Sequence, residues 1–290
     1  MKVCGFTIVR NAVKFGYPVV EAINSILPLC DKMIVAVGNS DDGTADLIKS
    51  LPDEKIVIVD TVWDDNLNHG GHVLAVETDK AMDAIPDEYD WCIYIQADEV
   101  IHEKYHDAIR REMQQWKDHS EVEGLLFRYL HFWGTFDYVG VSRKWYNNEI
   151  RIIRNNKRIR SYKDAQGFRI EGRKLKVKPI DAFVYHYGWV RPPDTIKAKM
   201  RNFSQLYFTG NKLKGELNKI TTFDYSKIDA VKLFEGTHPE VMHNLINNMN
   251  WHVHLDESKI AFSPKYYILH KFEKYFGYRL FEYKNYKIIP

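Results

Sequence analysis

The sequence predicts an α/β fold, a mostly parallel central sheet flanked by helices, followed by a helical C-terminal appendage. Three observations predict it. The first third of the chain alternates short apolar, β-branched runs with segments of helical spacing, the pattern of parallel strands joined by crossover helices. Polar clusters follow these apolar runs, at the strand ends where an open sheet leaves its ligand crevice. Beyond Pro192-Pro193 the pattern turns helical and strongly polar, with no internal repeat and no low-complexity linker. The expected organisation is a ligand-binding domain over residues 1–193 and a mainly helical extension over 194–290 packed on it.

Val3 to Val9 is an apolar run that reads as a buried first strand. Pro18 to Leu27 puts Val19, Ile23, Ile26 and Leu27 on one helical face, with Pro18 suited to the first turn. Lys32 to Val37 is a second strand, ending at Gly38, and a helix follows from Thr44 to about Leu51. Lys55 to Asp60 is a third strand; Gly71 to Ile85 has helical spacing through Val73, Val76, Ala81 and Ile85. Asp90 to Ile95 is a fourth strand that runs into Gln96-Ala97-Asp98-Glu99. His102 to Trp116 reads as a surface helix. Gly124 to Tyr129, Glu149 to Arg154 and Ala182 to Tyr187 read as further strands.

Hydrophobic residues at 45% and charged residues at 28% of 290 allow a sizeable core and exclude a chain disordered by composition. Aromatics at 14% suit either a ligand-binding surface or a core rich in Tyr and Phe. The small net charge hides an asymmetry: Asp41 to Glu123 holds 22 acids against 7 Lys/Arg, and Arg151 to Lys178 holds 11 Lys/Arg against 2 acids. The basic stretch lacks a recognition-helix or stacking-sheet context, so no nucleic-acid partner is expected. It suits a diphosphate or an anionic lipid surface instead. Cys4, Cys30 and Cys92 lie far apart in apolar contexts, without metal-ligand spacing, and read as buried thiols of a reducing compartment. The N-terminal apolar run is too short for a signal peptide, and no stretch reaches the roughly 20 apolar residues of a spanning helix. A cytoplasmic setting is expected.

Two segments carry chemistry together. Gly38-Asn39-Ser40-Asp41-Asp42-Gly43-Thr44 joins a buried strand to a helix with small and polar residues that let the backbone approach a nucleotide; Asp42 and Thr44 suit the cap of that helix. Trp91 to Glu99 is a strand ending in an acidic pair. With Arg10-Asn11 after the first strand, these segments resemble the nucleotide-binding signatures of the family-two glycosyltransferases, which share the A-type, Rossmann-like fold. The resemblance covers roughly residues 1–190. It keeps Ser40, Asp42, Gly43 and Thr44 in matching places and departs at Gly38 and Asn39, where an Asp normally contacts base or ribose. It departs again at Gln96, which replaces the first acid of an Asp-Ala-Asp-Glu strand end.

The resemblance implies a nucleotide-sugar donor held by Arg10, Asn11, Asn39, Asp65, Gln96 and Asp98. It implies a divalent cation, Mn²⁺ or Mg²⁺, on Asp98, with His186 of Val184-Tyr185-His186-Tyr187-Gly188-Trp189 completing the metal site. A hard cation keeps water and substrate oxygens, so one or two protein carboxylates suffice. Transfer by direct displacement also needs a base for the acceptor hydroxyl. Asp164 is the first candidate and Glu171 the reserve, both beside the basic stretch. Arg151, Arg154, Arg160, Arg169 and Arg173 have two candidate roles, stabilising the departing diphosphate or recognising a phosphorylated or lipid-linked acceptor.

The implied activity is an inverting, metal-assisted hexosyltransferase-like glycosyltransferase acting on a glycan or lipid-linked acceptor in cell-surface polysaccharide synthesis. Tyr266 to Phe272 and Tyr283 to Ile288 interleave aromatic and basic residues, which suits a peripheral contact with the inner face of a membrane, a subunit interface or a packed terminal helix. In this reading the tail positions the enzyme and performs no chemistry. Two alternatives stay open. One is a sugar nucleotidyltransferase, although residues 10–16 lack the expected glycine density; the other is a non-catalytic nucleotide-sugar-binding protein, favoured by Gln96.

Overall fold

The computed structural model describes all 290 residues, Met1–Pro290. Four parallel strands form the N-terminal half of the sheet: β1 (Val3–Val9), β2 (Lys32–Val37), β3 (Ile56–Asp60) and β4 (Trp91–Tyr94), in the order β3-β2-β1-β4. They alternate with the helices α1 (Val19–Ile26), α2 (Thr44–Lys49) and α3 (His72–Asp83). The alternation of side chains along a strand sorts the core into two layers. Val9, Met33, Val35, Trp91 and Ile93 pack with α1. Cys4, Phe6, Ile34, Ala36, Cys92 and Tyr94 pack with α3 on the opposite face. Every residue of β1 and β4 is buried, as the continuous apolar runs require of strands covered on both faces. β3 is the edge, with Val57 and Asp60 exposed and the other three residues half-buried.

Past β4 the sheet becomes mixed. A short strand β5 (Glu99–Ile101) leads into α4 (His106–Trp116), and the chain returns through β6 (Gly124–Trp133), β7 (Tyr138–Gly140) and β8 (Asn148–Arg154). β8 lies antiparallel between β4 and β6. A separate three-stranded ribbon follows, β9 (Ile159–Tyr162), β10 (Gly167–Ile170) and β11 (Arg173–Lys174). Its Ile159, Phe168 and Ile170 enter the α3-side core. The long β12 (Lys176–Trp189) then pairs parallel with β6 and antiparallel with β5. Its register shifts between His186 and Trp189, an irregularity of the kind that re-aims side chains near sites.

The last hundred residues carry four helices, α5 (Pro193–Tyr207), α6 (Gly210–Lys219), α7 (His243–Asn247) and α8 (Pro264–Phe276), joined by long irregular segments. Two short strands tie this region into the sheet, β13 (Val231–Leu233) on β7 and β14 (Lys287–Ile288) on β12. Tyr266, Tyr267 and Ile268 of α8 are exposed. No helix is long and apolar enough to cross a membrane. The helix expected from His102 begins at His106, because Glu99–Ile101 is drawn into the sheet by β12 and His102 caps a single 3₁₀ turn.

The C-terminal segment returns over Glu149 of β8. Glu149 is 2% exposed and takes a 2.8 Å hydrogen bond from the Gln166 amide. Burial pushes its carboxyl up from 4.5 to about 7, opposed by Arg151, Asn285 and Gln166. The folded state therefore prefers the protonated acid, and stability falls as pH rises from about 4.5 to about 7, where the unfolded chain ionises first. Glu149→Gln removes that loss. Its gain in unfolding free energy over the parent, read from denaturant titrations, should grow across this window and level off above it, with a ceiling on the order of a few kcal/mol. A gain independent of pH would show that Glu149 ionises as in solvent.

Candidate functional site

A cavity of about 710 Å³ opens at the C-terminal ends of β1 and β4, within the size range of small-molecule sites. Ile8, Val9 and Arg10 line it from β1 and the turn beyond, Gln96, Ala97 and Asp98 from the turn after β4, and His186 and Trp189 from β12. The β9–β10 hairpin loop contributes Asp164, Ala165 and Gln166. Lys199, Phe203 and Tyr207 come from α5, spaced four residues apart and so on one helix face. α5 is held there by hydrogen bonds from the Gly71 and Gly70 N–H groups to the Leu206 and Tyr207 carbonyls, at 3.0 and 3.3 Å.

Asp98 is buried at the cavity floor. Its Oδ2 accepts a 3.0 Å hydrogen bond from the Lys199 ammonium, and its Oδ1 lies 3.8 Å from His186 Nε2. Burial raises the Asp98 carboxyl, but Lys199, His186 (protonated at the acidic pH where Asp98 titrates) and Arg191 outweigh it and hold the group well below the usual carboxylate range. Burial and the Arg191 charge push Lys199 down to about 8, against the pull of Asp98. Gly188 makes this approach possible, since a Cβ there would lie 2.5 Å from the His186 ring and 2.9 Å from Asp98 Oδ2.

The histidine tautomers follow from their partners. His131 Nε2 donates to the Tyr146 carbonyl at 2.8 Å, because a carbonyl can only accept. Burial and the neighbouring His186 push His131 down to about 3, so at neutral pH its Nδ1 is bare. That nitrogen lies 3.1 Å from His186 Nδ1, which must therefore carry the proton. Burial also pushes His186 down to about 4, opposed by Asp98 and assisted by Lys199 and Arg191. His186 is thus neutral, with the lone pair of Nε2 turned towards Asp98. One carboxylate oxygen and one imidazole nitrogen are a suitable start for a divalent cation. No third His, Cys, Asp or Glu joins them.

Glu99 turns away from this floor. Its carboxylate is fully buried and takes two 2.7 Å hydrogen bonds from Arg151, one from Tyr129 at 2.8 Å and one from the Gln96 N–H at 3.2 Å. Gln96 donates its amide to the Ala165 carbonyl at 3.2 Å. An acid at that position could not make this bond, which accounts for the departure from an Asp-Ala-Asp-Glu strand end. Asp164 sits in the four-residue loop between Tyr162 and Gly167, and its Oδ2 accepts from the Tyr207 hydroxyl at 2.8 Å. Both its neighbours, Lys163 and Ala165, have left-handed backbones, with φ of 57° and 60°. Such strain persists only where the surroundings impose it and clusters at functional loops.

Of the residues expected at the nucleotide, Arg10, Gln96 and Asp98 line the cavity. Asn11, Asn39 and Asp65 lie outside its lining and bond to protein groups. Asn11 Oδ1 accepts from the Asp41 N–H at 3.0 Å, Asn39 Oδ1 from the Trp63 N–H at 3.1 Å, and Asp65 pairs with Arg10 at 2.8 Å. Ser40, Asp42 and Thr44 accept from the N–H groups of residues 11–14, so that signature braces the turn after β1. Gly38 stands where an acid was expected because Trp63 fills the space: a Cβ would lie 2.4 Å from its Nε1. Glu171 is on a surface turn paired with Arg158, away from the cavity.

The basic stretch is not a diphosphate clamp, which corrects the sequence-based expectation. Arg151 is bound to Glu99, Arg160 to Asp83 and Arg173 to Glu123, while Arg154 and Arg169 donate to carbonyls. None of the five lines the cavity. The cations near the floor are instead Lys199 and Arg191, which precede and enter the segment assigned to positioning alone. The spacing of Lys199, Phe203 and Tyr207 at helical intervals was the signal available for them.

No family model and no curated protein matches the chain. Solved structures that resemble it include S. aureus TarS, at 16% identity over 70% of this chain and a TM-score of 0.39. A structure of TarS 1–349 in complex with UDP-GlcNAc covers 76% of this chain and 71% of that one, at 13% identity and a TM-score of 0.39. Glucosyl-3-phosphoglycerate synthase from Mycobacterium tuberculosis, in complex with Mn²⁺, UDP and glucosyl-3-phosphoglycerate, covers 46% and 45% at 14% identity and a TM-score of 0.31. The chain spans 39% of the length of TarS.

The buried Glu99–Arg151 pair yields a stability prediction. Glu99→Gln or Arg151→Met alone leaves a charge without its partner and should cost about 3–5 kcal/mol. The double variant should lose less than the sum, as a double-mutant cycle in denaturant would measure. Additive losses would mean the pair is not coupled.

Proposed function

We propose that this chain transfers a sugar from a nucleoside-diphosphate sugar to a glycan or lipid-linked acceptor, with inversion at the anomeric carbon. The observation that carries the reading is the cavity at the strand ends, with buried cations on its floor and a carboxylate, Asp164, on a strained loop in its wall. The cationic floor suits the diphosphate of the donor. Asp164 suits the removal of the acceptor hydroxyl proton as that oxygen attacks. The Tyr207 hydroxyl holds Asp164 by its Oδ2. The catalytic unit in this reading is residues 1–193 together with α5. In this reading Gln96 serves the loop, through its bond to the Ala165 carbonyl.

Asp98 Oδ1 and His186 Nε2 are the residues that would hold a divalent cation here. When bound, such a cation supplies positive charge to the leaving diphosphate.

A panel of nucleoside-diphosphate sugars, beginning with UDP-GlcNAc, tests the reading. Turnover of at least one, by transfer or slow hydrolysis, is expected; binding without any turnover would make this a sugar-nucleotide-binding protein. Asp164→Asn should lower turnover by about 10²–10⁴-fold with little change in donor affinity. A product that retains the donor's anomeric configuration would rule out the single displacement.

The exposed Tyr266, Tyr267 and Ile268 of α8, beside Lys265 and Lys271, support peripheral contact with a membrane that presents the acceptor. Flotation with anionic liposomes should recover the full chain, and replacing the three apolar side chains with Ser should abolish recovery. Equal partitioning of both would sink the membrane contact.

A further inference from the structure

We propose that Lys199 binds the diphosphate directly and that anion binding in this cavity does not require a divalent cation. The proposal deepens the nucleotide-sugar reading and rests on it only for the identity of the anion.

The Lys199 ammonium has three N–H donors. Two are used, on Asp98 Oδ2 at 3.0 Å and the Gly188 carbonyl at 2.8 Å. No third protein acceptor lies within reach, and the side chain lines the cavity. The rings of Tyr17, Phe203 and Trp189 stand 5.0, 5.4 and 5.9 Å from the nitrogen. Aromatic faces stabilise a cation without neutralising it. The helix that carries Lys199 is fixed at both ends, by Pro192-Pro193 at its start and by the Gly70 and Gly71 contacts at its finish. The ammonium is therefore a placed group and not a mobile surface lysine.

The charges around it do not cancel. Arg191 is 1% exposed, stacks 4.7 Å over Tyr17, donates to the Phe15 and Tyr187 carbonyls, and leaves its second terminal nitrogen without a partner. Of the three carboxylates in the cavity lining, Asp98 alone pairs with Lys199, while Asp164 is bonded by Tyr207 and Glu216 by Lys219, and none pairs with Arg191. Glu99 offers no help, being committed to Arg151. An uncompensated buried cation is costly. The ligand that relieves it is an anion with its oxygens at the free Lys199 donor. Asp98 meanwhile already holds one cation on Oδ2, so the floor carries positive charge before any divalent ion joins it. The lysine thus supplies at this floor the positive charge that a leaving diphosphate needs.

Calorimetric titration of the full chain with inorganic pyrophosphate and with UDP, in EDTA and in Mn²⁺, tests this. The parent should bind pyrophosphate in EDTA, with Mn²⁺ changing the affinity little. Lys199→Met should weaken binding by about 10–100-fold, the range for hydrogen bonds to charged groups, and Lys199→Arg should recover part of it. Because Lys199→Met orphans Asp98, the double variant Asp98→Asn/Lys199→Met is measured as well; it leaves no unpaired carboxylate and should bind as weakly. Pyrophosphate binding that vanishes in EDTA and returns with Mn²⁺ would overturn the proposal, as would parent-like affinity in both Lys199 variants. Pyrophosphate binding without binding of any nucleoside diphosphate would support the Lys199 site and overturn the nucleotide reading.

Discussion

Glu99 and Arg151 meet with neither side chain exposed to solvent, and most of the site is hung on that contact. A bidentate carboxylate–guanidinium pair is directional, so it sets the relative position of the two strands that carry it. From β5 the Glu99 carboxylate also receives the Gln96 N–H and the Tyr129 hydroxyl. From β8 the Arg151 guanidinium also donates to the Gln166 carbonyl. The turn that presents Asp98 and the loop that presents Asp164 are thereby referred to one buried pair. The rings of Tyr94 and Tyr129 flank the guanidinium at 5.2 and 5.4 Å, and fix it further without adding charge.

Around this anchor the polar groups of the floor form a chain in which each position is set by the next. The Tyr146 carbonyl sets the His131 tautomer, His131 sets that of His186, and His186 presents its lone pair towards Asp98. Low dielectric makes such a chain costly when incomplete and rigid when complete. Its atoms come from β6, the segment before β8, β12 and the turn after β4, elements brought together by the mixed half of the sheet. The parallel half contributes the opening at its strand ends, and the mixed half contributes the chemistry.

The first four strands and three helices were legible because their signals are local. Buried parallel strands read as continuous apolar runs, and β1 and β2 fall on the residues expected of them. Asp98, His186 and Asp164 were legible as types of residue at strand and loop ends, and the fold brings all three to one cavity. Short strands were not legible. β5 and β13 have three residues each, and their pairing comes from partners far along the chain. The basic stretch misled because composition records charge and not its partner: Arg151 and Arg154 each find theirs inside the protein.

By itself the sequence determined the layered α/β order, the buried thiols and the strand ends at which polar side chains collect. These follow from periodicity and burial, which are properties of neighbouring residues. Only the tertiary structure decided that the signature Ser40-Asp42-Gly43-Thr44 braces a turn, that Glu99 belongs to Arg151, and that Lys199 from the polar tail shares Asp98 with His186. A carboxylate's role depends on which cation reaches it first and how much water is left. Both are set by contacts between residues 52 and 101 positions apart, on which local pattern is silent.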